Sequence, residues 1–238
     1  RYEVQFLPGL ASERFGANSF VHYGATSSYE FQVANNYAVA GRIDNYSVPG
    51  LRIGMSGYWG RTFKNTLKTI GSRYEKVKGG LAIGSIDFTY DNHNWIIRGN
   101  ADYAHLDDAN AITAFNKNYP LHSAQDGSPS KHQPVASNAV AVAIEAGYDV
   151  FSRFAKLRES KDRLYVFGKY EYYDAMASST YRSSYEWCKT NRIAFGLNYF
   201  PIRDLVIKAE YSKRFLKSTF NNEPSISVGV AWSGVLVN

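Results

Sequence analysis

Cysteine is almost missing from this chain. Cys188 stands alone among 238 residues, so no disulfide can form within it, and the stapled small-domain class is excluded. No histidine stands in a base-like arrangement with it, so the thiol, at a loop or strand end, reads as incidental. Long hydrophobic runs are missing too. No stretch approaches the roughly 20 apolar residues that a spanning helix needs, and a mean hydropathy of −0.36 is too polar for helical spans. A strong excess of one charge is also lacking: 27 Lys and Arg against 21 Asp and Glu leave a net charge of +6, and the basic residues are dispersed. Their densest group, Lys213, Arg214 and Lys217, reads as a strand end running into a solvated loop, so nucleic acid is not an expected partner.

Chemistry-bearing motifs are equally scarce. His22, His93, His105, His122 and His132 are scattered without ligand spacing, and Asp107 and Asp108 read as a solvated strand end, so neither a metal nor a cofactor is expected. No Gly-x-Ser-x-Gly, Walker loop or His-Glu-x-x-His occurs, and nothing specifies an enzyme. The sequence opens at Arg1 with no Met or apolar leader, so an export signal is expected to have been removed or left out.

What the chain does have is aromatic residues at 16%, with 19 Tyr and 19 Gly. Their placement is clearest in Arg192–Tyr211. Ile193, Phe195, Leu197 and Tyr199 alternate with Arg192, Ala194, Gly196 and Asn198; after a turn at Pro201, Leu205, Ile207, Ala209 and Tyr211 alternate with Val206, Lys208 and Glu210. Period-2 alternation with a tyrosine at the end of each apolar face predicts two amphipathic strands in a tight hairpin.

The same unit recurs, giving ten expected strands: Arg1–Phe6, Tyr37–Tyr46, 51–59, 82–90, 95–103, 140–150, 163–172, 192–199, 205–211 and 225–232. A further piece of strand is expected around Ser28–Val33, and a short helix near Ala109–Phe115. The connections alternate between long and short. SVPG, DNHN and FPIRD are tight; Leu10–Asn36, Arg61–Lys78, Leu106–Ser137 and Asp174–Lys189 are long and polar. An up-and-down barrel with short periplasmic turns and long external loops predicts that parity, whereas a soluble sandwich does not. One strand face collects Ile, Val, Leu, Phe, Ala and Gly with Trp or Tyr at the margins. The other carries Arg98, Asp102, Glu145, Lys169, Glu171, Lys208 and Glu210.

LYVFGKYEYYDAM (Leu164–Met176) and NRIAFGLNYFPIRDLVIKAEYSKR (Asn191–Arg214) resemble the last strands of the phosphate-selective-porin-like family, porin O and P. AVAGRIDNYSVPGLRIGMSGYWG (Ala38–Gly60) is similar to that family's strand–turn–strand phrase, and RYEVQF to another of its strands. The resemblance covers most of the chain outside the loops and implies a barrel of fourteen to eighteen strands. The family's N-terminal strands and inward constriction loop are not matched, and WSGVLVN replaces the terminal aromatic usual for barrels.

The expected fold is therefore all-β: one antiparallel up-and-down transmembrane barrel domain over 1–238, the C-terminal portion of a larger barrel, in the cell outer membrane. The expected function is a porin-like channel for passive diffusion of small hydrophilic solutes or anions, with the seven charged residues lining the pore. The same charges would equally serve as a salt-bridge lattice in a plugged barrel that acts as an accessory subunit. A soluble ligand-binding β protein is the third reading. Expected partners are outer-membrane lipid and other outer-membrane proteins or further copies of the chain.

Overall fold

The computed structural model describes residues 1–26, 30–67, 70–118, 133–159, 162–216 and 222–233. It contains the ten expected strands: β1 (Tyr2–Pro8), β2 (Tyr37–Val48), β3 (Leu51–Arg61), β4 (Gly80–Asn92), β5 (Trp95–Leu106), β6 (Asn138–Asp149), β7 (Arg163–Ser178), β8 (Lys189–Ile202), β9 (Leu205–Arg214) and β10 (Ser225–Trp232). They form one sheet in chain order, each antiparallel to the next, an all-β up-and-down arrangement. The sheet is open: among the described residues β1 pairs only with β2, and β10 only with β9.

Local chemistry sets the tight connections. Pro49 and Gly50 join β2 to β3, and Gly50 sits at φ 78°, where a Cβ would also lie 2.7 Å from the Asp91 carbonyl oxygen. Only glycine takes that position without strain. His93 and Asn94 join β4 to β5, both at positive φ (52° and 66°), the two left-handed residues of a type I′ turn whose twist suits a hairpin. Pro201, expected in the turn before β9, lies instead inside β8, where the pairing shifts between Tyr199 and Ile202. A bulge tolerates its missing N–H; the turn is Arg203–Asp204. The remaining connection at this end, 150–162, carries the short helix α2 (Ala155–Glu159).

The other end carries the described parts of the segments 9–36, 62–79, 107–137, 179–188 and 215–224, including helix α1 (Ala109–Asn118). Four expectations change. Residues 30–36 hold no strand, while Ser28 and Tyr29 lie outside the described residues, as do His122, His132 and Lys217. The loop expected from Asp174 begins only after Ser178, because Asp174, Ala175 and Met176 are buried and the strand continues through them. The sixth strand stops at Asp149, whose carboxylate accepts from the Phe151 amide and starts a 3-10 turn at Val150. Most importantly, the long segments are not merely polar loops.

They build a dry core on the polar face of β3–β5. Phe15, Phe20, Phe63, Ile112, Phe115 and Val135 pack with the strand residues Leu81, Ala104 and Leu106. Phe115 meets Phe63 edge-on at 5.1 Å and Tyr74 at 5.3 Å. Buried polar groups tie the layer together: Asn65 Oδ1 accepts from the Asn35 amide at 2.9 Å, and Asn65 Nδ2 donates to the Gly9 carbonyl. Asn116 Nδ2 donates to the Ser12 carbonyl at 3.1 Å. Asn65, which both accepts and donates, is the kind of satisfied buried amide that fixes one packing rather than many.

Candidate functional site: the charged polar face

Two opposite surfaces follow from the register. On one, side chains stand exposed in rows that cross the sheet, such as Ile43, Met55, Ile86, Ala101 and Val142, which are successive partners from β2 to β6. Ile43 is 66% exposed, Phe195 58% and Val228 75%. Apolar side chains that a soluble fold would bury therefore point away from the protein. Aromatics bound this surface at both ends of the strands: Phe6 stacked on Tyr37 at 5.1 Å, with Trp59 and Tyr103, at the long-connection end, and Trp95 against Tyr148 at 4.8 Å, with Trp232, at the other.

The opposite surface divides in two. Near the long connections it is the dry core; toward the short turns it is charged. There Arg42, Asp44, Arg52 and Asp87 interlock. Arg42 reaches Asp44 at 2.7 Å and Asp87 at 2.9 Å, while Arg52 reaches Asp44 at 2.9 Å and also pairs with Asp87. The register explains how. Asp44, Gly54 and Asp87 are successive partners on β2, β3 and β4, so two carboxylates flank a residue with no side chain and both guanidinium groups lie across it. A Cβ at Gly54 would stand 2.8 Å from Asp87 Oδ2 and 2.9 Å from an Arg52 nitrogen. Fork-shaped arginines suit such shared carboxylates better than lysines.

A second chain of pairs runs across β7, β8 and β9. Lys169 Nζ meets Glu171 at 2.6 Å, Arg192 meets Glu171 at 3.7 Å and Glu210 at 3.3 Å, and Arg192 also donates to Ser212 Oγ at 2.8 Å. All seven charged residues expected to act together share this surface, but they are not equivalent. Asp102 is not paired with Arg98; it accepts from Ser85 Oγ and from Asn100 Nδ2 at 2.5 Å. Glu210 joins Arg192 rather than Lys208. Arg98, Glu145 and Lys208 take part in no ion pair among the described residues. Arg52, Asp87, Arg98, Glu145, Lys169 and Glu171 border one open concavity of about 350 Å³.

The Arg42–Asp44–Arg52–Asp87 group was absent from the expected site. Its signal lay in GRID and LRIG, whose charges fall on the polar side of the alternation opposite Asp87. Among the other candidates, Cys188 is buried with Ala17, Ala136 and Met176. Burial, with Asp174 nearby, pushes its thiol up to about 12, so the thiolate that would act as a nucleophile is suppressed. His93 lies in a turn against Tyr90 at 2.9 Å, and His105 bridges Asn138 and Asp107.

No family model matches the chain, and no curated protein matches it. Solved structures do resemble it. OmpT with loop L8 deleted, an outer membrane protein of Vibrio cholerae, is 14% identical at a TM-score of 0.45, covering 97% of this chain and 74% of that one. The in-vitro folded OmpT is 14% identical at a TM-score of 0.41, over 97% and 74%. The outer-membrane-expressed form is 12% identical at 0.41, over 97% and 76%.

Proposed function

We propose that this chain forms the wall of an outer-membrane β-barrel that lets small hydrophilic solutes diffuse past its charged face. The observation that carries the reading is the exposed apolar surface, continuous over ten strands and edged by aromatics, set back to back with a charged one. A soluble sheet buries its apolar face; a membrane barrel turns that face to lipid and its polar face to water. The dimensions agree. Trp95 and Tyr103 are eight residues apart on β5, about 26 Å along the strand at roughly 3.3 Å per residue, or about 20 Å once the strand tilts by about 40°. The likeness of Ala38–Gly60 to the porin O and P family supports the same reading.

Hydrocarbon leaves no place for an unpaired strand edge, since each orphaned backbone group costs several kcal/mol there. The outer edges of β1 and β10 are therefore satisfied within a closed wall. β1 runs toward the long connections and β10 away from them, so an even number of intervening strands, zero included, completes an antiparallel ring.

The dry layer of α1 with residues 10–25, 62–67 and 70–79 supports a second reading. It fills one end of the polar face over β3–β5, which suits a plugged barrel serving as a subunit of a larger assembly. Planar-bilayer recording separates the two: discrete conductance steps from the purified protein support the channel, and their absence at high protein input supports the plugged subunit. Extraction of the protein from cell envelopes by salt alone, without detergent, would defeat both.

A further inference from the structure

We propose that Arg98 and Glu145 form a subsite for zwitterionic solutes, of the amino-acid or short-peptide class, on the polar face. The inference rests on the channel reading and narrows its solutes. Arg52, Thr89, Arg98, Glu145 and Lys169 are successive register partners from β3 to β7, one row straight across five strands. The two ends of the row are electrically satisfied. Arg52 is held by Asp44 and Asp87 and donates to Thr89 Oγ1 at 3.3 Å; Lys169 is held by Glu171 at 2.6 Å. At the centre, Arg98 and Glu145 face each other on neighbouring strands, yet neither enters an ion pair or side-chain hydrogen bond among the described residues.

Room for a ligand comes from the next row, where Asn100 is followed by Ala143 before Glu171. The small Ala143 leaves the floor open and Asn100 is drawn toward Asp102, so the concavity of about 350 Å³ lies over the unengaged pair. Three cations and three anions border it, which gives no net preference for ions of either sign. What the arrangement does favour is a solute carrying both charges on one small frame. Arg98 presents a fork to a carboxylate, and Glu145 accepts from an ammonium. Register partners have Cβ atoms about 5 Å apart, so Arg98 and Glu145 rise from neighbouring points and both can reach the two charges of one small α-amino acid.

The test compares L-alanine with lactamide, its uncharged near-isostere, and with alaninamide and N-acetylalanine, which keep only the ammonium or only the carboxylate. Each is titrated into planar-bilayer recordings at pH 7 for current block, and each is titrated against detergent-solubilised protein by ligand-observed NMR. Alanine is expected to block and bind about tenfold more tightly than the other three, the scale of one charged hydrogen bond. R98Q and E145Q should each abolish that margin, and the charge-swapped R98E/E145R should restore it. Equal behaviour of alanine and lactamide in a conducting barrel overturns the subsite and leaves the channel standing. Tight alanine binding to a barrel that passes no current supports the subsite and overturns the channel. Loss of the margin in R98E/E145R, with the heat-modifiable gel shift of the folded barrel intact, also overturns the proposal.

Discussion

Ala143 and Ile144 are neighbours at the middle of β6, at one depth but on opposite faces, which makes them a matched pair. Ile144 is 47% exposed and stands on the apolar surface; Ala143 faces the charged one beside Glu171. If hydrocarbon covers the apolar surface, Ile144→Arg places a guanidinium near the bilayer midplane at a cost of about 2–4 kcal/mol. That is about 30- to 800-fold in the folding equilibrium, at about 1.4 kcal/mol per decade. If water covers it, the same change is a surface substitution worth about 0.5 kcal/mol or less. Ala143→Arg gains a carboxylate neighbour in aqueous surroundings and should cost under about 1 kcal/mol. The assay is reversible denaturant unfolding in lipid vesicles followed by fluorescence of the 4 Trp. A cost for Ile144→Arg no greater than that for Ala143→Arg would refute the placement of lipid.

Three further outcomes follow from named contacts. Ile112→Ala removes a fully buried side chain from the layer over β4 and β5; it should destabilise that layer by about 2–5 kcal/mol, seen as faster tryptic cleavage around α1 with the strands still protected. Gly54→Val drives a branched side chain between Arg52 and Asp87 and should cost about 1–3 kcal/mol as overpacking, read as a lower unfolding midpoint, while Gly229→Ala, with open space at its Cβ position, should leave it unchanged. Cys188, with its thiol pushed up to about 12 from 9.0, should resist iodoacetamide at pH 8 in the folded protein and react on denaturation. Because the folded state holds that proton more tightly, this contribution to stability is present below about 9 and is lost as pH rises toward about 12, which a Cys188→Ala variant should not show.

The strands were legible because each has one face in one environment. Alternation such as Leu51, Ile53 and Met55 against Arg52, Gly54 and Ser56 survives only where a residue slip would exchange the two faces, and the burial of β3 alternates from Ile53 to Trp59. The layer over β3–β5 was not legible for the opposite reason. Phe15, Phe63 and Phe115 are isolated apolar residues in polar segments, and their convergence depends on contacts between parts of the chain far apart in sequence. The continuation of β7 through Asp174–Met176 was hidden because both faces are buried there, so alternation fades. The charged site was half legible: alternation put its seven residues on one face, but the partners of each depend on cross-strand register. Asp102 to Ser85, and Arg42 with Arg52 across Gly54, are cases that spacing along one strand does not encode.

The most direct test of the account is a nitroxide scan of β8 in lipid vesicles, with single cysteines introduced from Ile193 to Asn198 in a Cys188→Ala background. Accessibility to oxygen, which concentrates in hydrocarbon, and to a polar nickel chelate, which stays in water, should alternate with period two. Labels at 193, 195 and 197 should favour oxygen, and those at 194, 196 and 198 the chelate. Equal access of the chelate to both sets would contradict a membrane-facing wall.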